Sequence, residues 1–547
     1  MSLFQKFWLV RSSITLARIA AAAAIAIGIA TTGCTARSGG DGKTLEVGNG
    51  AEPKDLDPHI TTGVPESHIL QNLFEALVSK DAKTLDPVPG VAESWTISKD
   101  GRVYTFKLRE NSKWSDGSPL TAIDFVYSWT RLLEPKTAAE YAYQAYYVKN
   151  GKAYNEGKLK DASQLGLKAI DARTFQVTLE QPTPFFLSLL FHHSLYPVPQ
   201  KAIEAHKEKW TRPENFVSNG AFKLEKWEMN KVISVVKNPN YWDAATTTLD
   251  RVNFWPIEKA DTEEKMFRSG KLHVTDTVPL EKISHWQADK SGVYNQHPYL
   301  GVYYYWFNVT KKPFDDKRIR QALALAIDRT RIVKYVTRAG QIPATFFTPP
   351  GTGGYNPKPR LPADLSQLDK AKKLLADAGY PNGKGMPPVE VLFNTQDGHK
   401  KIAEAIQQMW KENLGIEVTL VNQEWKVYLD TLRTKSYQAA RAGWIGDYND
   451  PNTFLDMFVT GNGNNRCGFA NKAYDALLDE ATKEQDVAKR LAIFDKAEAI
   501  LMEEMPVMPI YIYTRTFLKQ PEVTGWFANV EGMHQMKFVR LATKSVQ

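Results

Sequence analysis

Residues 389–421 read VEVLFNTQDGHKKIAEAIQQMWKENLGIEVTLV, and this stretch decides the fold class. Val389 to Phe393 is an apolar run of strand length. From about Lys400 to Leu414 the apolar residues Ile402, Ile406, Met409 and Leu414 recur at helical spacing. Gly415 stops that helix, and Ile416 to Val421 supplies a second strand, so the spacing predicts a βαβ unit. Just upstream, Asp369 to Ala378 predicts a helix with Ala371, Leu374, Leu375 and Ala378 on one face, ended by Gly379 and Pro381. Nearer the N-terminus the pattern is mixed. Thr44 to Gly48 reads as a strand, and Tyr104, Phe106 and Leu108 alternate with more polar neighbours. Asp116-Gly117 makes a turn, and Thr121 to Trp129 a helix with Phe125, Val126 and Trp129 inward. The chain is therefore α/β, without internal repeats or low-complexity linkers, and its domains are joined by short crossovers.

At 547 residues, with 43% apolar residues, the chain can bury two to four cores at roughly 150 residues each. Two cysteines rule out a disulfide scaffold and a cysteine-based zinc module. Cys34 lies at the end of an export signal: Lys6, Arg11 and Arg18 are followed by the uncharged run Ile19 to Ala30 and by Thr31, Thr32 and Gly33. We read residues 1–33 as a signal peptide. Its exit resembles a bacterial lipoprotein signal with Cys34 as the lipidated residue, although Thr31 stands where an aliphatic residue is usual. Removing the signal takes away three basic residues and no acids, so the net charge falls from +8 to +5. The remaining basic residues are interspersed with acids, as in Asp479 to Arg490, which argues against a nucleic-acid partner.

Reactive chemistry is scarce. His192 and His193 are adjacent, so on a helix or strand they point to different faces, and no HExxH occurs. Gly351-Thr352-Gly353-Gly354 lacks the Lys-Ser/Thr of a phosphate loop and reads as a turn. Cys467 has no neighbouring histidine, and no G-x-S-x-G elbow is present. Paired acids such as Asp447 and Asp450 could serve an exported glycan or peptide hydrolase, but acids three residues apart are common in loops. The chain is instead rich in aromatic residues, with 14 Trp, 23 Tyr and 25 Phe, and Tyr303-Tyr304-Tyr305-Trp306-Phe307 is their densest run. On a strand this run serves equally as a two-sided core or as the wall of a ligand pocket. No metal site or cofactor is expected.

Six words then carry a resemblance: Leu56-Asp57-Pro58-His59, Gly63-Val64-Pro65-Glu66-Ser67, Leu108 to Gly117, Asn238 to Asp243, Asn422-Gln423-Glu424-Trp425 and Ala440-Arg441-Ala442-Gly443-Trp444. They resemble, in order, the large bacterial extracytoplasmic solute-binding proteins of family 5, of the oligopeptide and murein-tripeptide type. The resemblance implies a type II periplasmic-binding-protein-like fold of three lobes, with the ligand cleft between lobes I and III. The implied limits are 34–74, 199–300 and 515–547 for lobe I, 75–198 for lobe II and 301–514 for lobe III. It implies a binding component of an ABC importer that takes short peptides to a permease and its ATPase, monomeric and periplasmic. A sensor or a murein-peptide specialist of the same fold is the alternative. By the same resemblance Asp447 meets the ligand ammonium, and Arg441 and His399 meet its carboxylate. Backbone near Val64 and Gly443 pairs with the peptide main chain, and Tyr141, Tyr304, Trp425 and Trp444 line side-chain pockets. Relatives carry charged residues where this chain has Thr62, Thr337 and Leu432, with Arg338 and Arg433 one place along, and a disulfide where it has Gly301 and Ile445. Cys467 is thereby left without a partner.

Overall fold

The computed structural model describes residues 43–542; the export signal and Cys34 lie outside the described residues. The βαβ unit is present: Val389–Asn394 pairs in parallel with Val418–Gln423, and the helix Asp397–Leu414 crosses between them. The helix starts three residues before the expected Lys400 and ends where Gly415 adopts φ +70, which favours glycine. Ile402, Ile406, Met409 and Leu414 are buried.

This unit sits at one side of a six-stranded mixed sheet. Its order is Ile342–Pro343, Val507–Leu518, Tyr294–Phe307, Ala439–Ile445, Val389–Asn394 and Val418–Gln423. Two four-stranded sheets complete the frame, the first of them antiparallel throughout. One is ordered Ala92–Ile97, Val103–Leu108, Thr174–Thr178, Leu167–Asp171, and the other, ordered Thr44–Gly48, Arg251–Trp255, Val232–Lys237, Phe222–Glu228, uses strands from distant parts of the chain. The expected alternation holds at Tyr104, Phe106 and Leu108, all buried. The helix expected over 121–129 runs from Ala122 to Leu133, capped by Thr121, because Leu132 and Leu133 continue its buried face; Val126 is only half-buried. The second strand of the βαβ unit begins two residues later than the expected Ile416, since Ile416 and Glu417 still belong to the turn after Gly415.

Apolar packing divides unevenly. The six-stranded sheet has its own core, around Tyr303, Tyr304, Tyr305 and Trp306, while the two four-stranded sheets share another through Phe106, Trp129, Phe222 and Phe254. Two long strands join the parts. Tyr294–Phe307 and Val507–Leu518 pair almost throughout, but their register breaks between Pro298 and Val302. A second irregularity falls between Tyr303 and Tyr304, and breaks of this kind locally disrupt a ladder and bend the strand that carries them.

Candidate functional site

The site begins at an unpaired edge. Ala439–Ile445 pairs on one side with Tyr294–Phe307 from Ala439 to Ile445, and on the other with Val389–Asn394 only at Ala439 and Ala440. Beyond Ala440 the neighbouring strand has diverged. Gly446 N–H donates to Leu300 C=O at 2.8 Å, so even-numbered residues direct their backbone groups toward that strand. The odd-numbered Arg441, Gly443 and Ile445 therefore direct theirs to the open edge; Tyr428 Oη–H bonds the Arg441 carbonyl. Facing this edge is the start of the helix Val64–Leu73, where Gly63 offers no side-chain cap.

Two cavities meet along the edge. The first, about 150 Å³, is lined by Tyr141, Tyr304, Trp306, Trp425, Trp444 and Asp447 among others. The second, about 250 Å³, is lined by Asn394, Gln396, His399, Tyr513, Asp276 and Arg515 among others. Val64, Trp425, Arg441 and Gly443 line both. The structure thus brings together in the first cavity every residue singled out above for the ligand except His399, which lines the second. Strand geometry explains the division. Tyr304 and Trp306 share a face with their cross-strand partners Ala442 and Ala440, while Tyr303, Tyr305 and Phe307 share the other with Gly443, Arg441 and Ala439. The aromatic run is at once core, with all five residues at most 1% exposed, and pocket wall through Tyr304 and Trp306.

Asp447 closes one end. Its side chain is 8% exposed, and it accepts from the Gln144 amide at 2.9 Å. His192 Nε2 lies 3.5 Å away, but burial and the neighbouring His193 hold that imidazole well below its ordinary range and therefore neutral. Burial, reinforced by the charge of Glu531, pushes the Asp447 carboxyl up to about 8. Asp450 has a different part: Arg490 grips it through two bonds of 2.6 and 2.8 Å, so it is not free to act with Asp447.

At the other end lies Arg441, which is 8% exposed. Its guanidinium donates to Asn394 Oδ1 at 3.2 Å and Tyr513 Oη at 2.8 Å and stacks on Tyr303, while its Nε–H has no partner. His399, beside it, is also held neutral by burial. Thr337 and Leu432 line the second and first cavity respectively, whereas Arg338 and Arg433 line neither. Gly301 and Ile445 are cross-strand partners, and a Cβ on residue 301 would lie 2.5 Å from Ile445 Cδ1, so the isoleucine fills the space between the two positions.

Several neighbours escaped the sequence reading. The sequence places His192 and His193 on different faces of a regular element; instead His192 caps the short 3-10 helix His193–Leu195, and the two rings sit 4.1 Å apart against the first cavity. Arg466 enters that cavity while bonded to Glu140 at 2.9 Å and Thr62 at 3.2 Å. Its only signal in the sequence is a basic residue beside Cys467 in a loop. Gln144 gives no signal of its own.

The site is thus an open strand edge set between a buried acid and a buried guanidinium, on the fold of a solute-binding protein. The chain belongs to the bacterial extracellular solute-binding proteins, family 5, whose model matches residues 86–466. It is a solute-binding protein and not an enzyme. It is 42% identical over 532 residues to the periplasmic oligopeptide-binding protein OppA of Salmonella typhimurium, covering 96% of each chain. Its fold matches the Escherichia coli murein tripeptide binding protein MppA with a TM-score of 0.87 at 39% identity, covering 91% of this chain and 98% of that one. Against the unliganded open form of the same MppA the TM-score is 0.62, at 39% identity with 92% and 98% covered. The lobes of this chain are thus arranged unlike that open form. It also matches Haemophilus influenzae OppA in complex with RPPGFSPFR, with a TM-score of 0.87 at 37% identity and 91% and 99% covered.

Proposed function

We propose that this protein is the periplasmic binding component of an ABC importer, that it encloses short peptides in extended form, and that it delivers them to an inner-membrane permease and its ATPase. The observation that carries this reading is the open edge at Gly443, held between the Asp447 carboxyl and the Arg441 guanidinium. A peptide added as a strand satisfies that edge through main-chain bonds, which supply affinity without reading side chains. Asp447 takes the ammonium. Arg441, with His399 beside it, takes the carboxylate of a peptide of matching length. From Arg441 to Asp447 the chain spans at most about 20 Å, which after side-chain reach suits about three or four ligand residues.

The lobes follow the limits given above, and the register break between Pro298 and Val302 serves as a hinge. Cys34 carries a lipid anchor, and the protein acts as a monomer. A murein peptide is a narrower reading of the same cleft, supported by the likeness to MppA and by the neutral Thr337 and Leu432 on its walls. Native mass spectrometry of freshly purified protein tests the main reading: co-purified intact peptides of mixed sequence support it, a single murein-type species supports the narrower one, and cleavage of added peptides overturns both. Intact-mass analysis of membrane-extracted protein with Cys34→Ser as control tests the anchor.

A further inference from the structure

Resting on the reading of the cleft as a peptide site, we propose that Lys80 is a built-in counter-cation that limits the Asp447 end of the cleft to ligands with a single ammonium. Held against Glu531, it fills the place where a second positive charge of the ligand would otherwise sit.

Lys80 ends the short strand Val78–Lys80, and Glu531 comes from a loop 451 residues further along the chain. Their side chains are paired, 11% and 4% exposed, and both line the first cavity together with Asp447. The Lys80 ammonium also lies 5.1 Å from the ring centroid of Phe191, another wall of that cavity. Behind Lys80 are two smaller cavities of about 10 and 20 Å³. Each has room for about one water molecule, so the ion pair closes this end of the cleft to a ligand.

A count of charges gives the consequence. The acids lining the first cavity are Asp447 and Glu531, and the cations are Lys80, Arg441 and Arg466. Arg466 is bonded to Glu140, and Arg441 stands at the opposite end of the open edge. Burial holds His192 and His193 neutral, and it keeps the nearby Asp456 protonated. Around Asp447 this leaves two acids and one cation, a single net negative charge once Asp447 ionises. One ligand ammonium completes the balance, whereas a second would be buried without a partner, which is strongly unfavourable. The three charges act on one another: Glu531 raises the Asp447 carboxyl and Lys80 lowers it. Without Lys80, Asp447 and Glu531 would face the cavity as two uncompensated acids, a site for a ligand with two amines near its first residue.

The test is calorimetry on the whole protein at pH 7 with two peptides matched in size, 2-aminopentanoyl-Ala-Ala and 2,4-diaminobutyryl-Ala-Ala. Their first side chains differ only in a methyl against an ammonium. The native protein is expected to bind the first more tightly by about tenfold or more. In Lys80→Met the order should reverse, and in the double variant Lys80→Met, Glu531→Gln, where Asp447 is again the only uncompensated acid, it should return. Glu531→Gln alone frees Lys80 to neutralise Asp447, so both peptides should bind about tenfold or more weakly. A native protein that binds the diamine as tightly as its partner overturns the proposal and leaves the peptide reading intact, and so does an unreversed order in Lys80→Met. Should Lys80→Met fail to fold, native affinities in Glu531→Gln overturn it instead. Failure of the native protein to bind either peptide overturns the peptide reading itself.

Discussion

Peptide binding near neutral pH should expel a proton from Asp447. Burial, with the charge of Glu531 adding to it, holds this carboxyl at about 8 despite the hydrogen bonds from Thr453 and Gln144 and the nearby Lys80. At pH 7 such a group carries about 0.9 of a proton. A ligand ammonium placed against it favours the carboxylate and brings the value below neutrality, so that proton leaves on binding. Because the bound-state value lies below the free one, affinity rises with pH between the two, by at most about tenfold per unit, until the ligand ammonium itself begins to lose its proton at about pH 8 and affinity falls again. The other groups around Asp447 do not mimic this. His192 and His193 are held neutral by burial, Lys80 is paired with Glu531, and burial raises Asp456 and Tyr141 far above their ordinary ranges. Calorimetry of one tripeptide at pH 7 in buffers of different ionisation enthalpy reads the proton number directly, and about 0.9 released is expected. Asp447→Asn should abolish the release and weaken binding by about 3–5 kcal/mol if the ammonium stays buried. Intact binding with no buffer dependence in the native protein would refute the assignment of Asp447 to the ammonium.

The same carboxyl should cost folding stability. Its value in the folded protein lies above the ordinary 3.8, so the penalty grows as pH rises from about 4 toward 8, and Asp447→Asn should stabilise the peptide-free protein at pH 7 by up to about 4 kcal/mol, read by urea unfolding; a destabilised variant contradicts this. Arg490→Ala strands Asp450, whose side chain is 13% exposed, and should destabilise by about 3–5 kcal/mol in the same assay; a loss below about 1 kcal/mol would mean the pair is not buried in solution. Residues 301 and 445 occupy a non-hydrogen-bonded antiparallel position, so the double variant Gly301→Cys, Ile445→Cys should form a disulfide on air oxidation, seen as a two-dalton mass loss and absent if the strands are out of this register. Cys467 is fully buried with its thiol pushed up to about 12, and it should resist iodoacetamide at pH 8 until urea is added.

Local order was legible where it has a period or a punctuating residue. The βαβ unit is visible in residues 389–421 because Ile402, Ile406 and Met409 keep helical spacing and Gly415 is needed for φ +70. Boundaries slipped by two to four residues where a cap or a turn, rather than the apolar pattern, sets the end. The site is a different matter, because its contacts are remote in sequence: Gln144 meets Asp447 across 303 residues, and Glu140 meets Arg466 across 326. No spacing rule reaches so far. The open edge was equally invisible, since it arises from the divergence of one strand after two paired residues. Asp447 was named through family resemblance, and bare chemistry offered it only as half of an acid pair.

Closure of the cleft follows from the same charges. The contacts between the lobes include the buried pair of Glu140 and Arg466 at 2.9 Å, the Gln181 to Thr482 hydrogen bond at 2.7 Å, and Lys54 to Asp430 at 2.8 Å, which is partly exposed at both ends. An exposed ion pair of this kind contributes about 0–1 kcal/mol. Against it stand two buried polar groups without opposite charges, Asp447 and Arg441, each of which prefers water in an open cleft. Shifting an open-to-closed ratio from 99:1 to 1:99 takes about 5.5 kcal/mol of differential binding. Two charge-assisted bonds at about 1.5–3 kcal/mol each reach most of that figure, and the main-chain bonds at the open edge add about 1 kcal/mol apiece. Both peptide termini are then needed for closure, whereas side chains tune affinity. A tripeptide acetylated at one end and amidated at the other should leave the protein at its peptide-free radius of gyration in small-angle scattering, while the zwitterionic tripeptide compacts it; equal compaction by both would show that main-chain pairing alone closes the lobes.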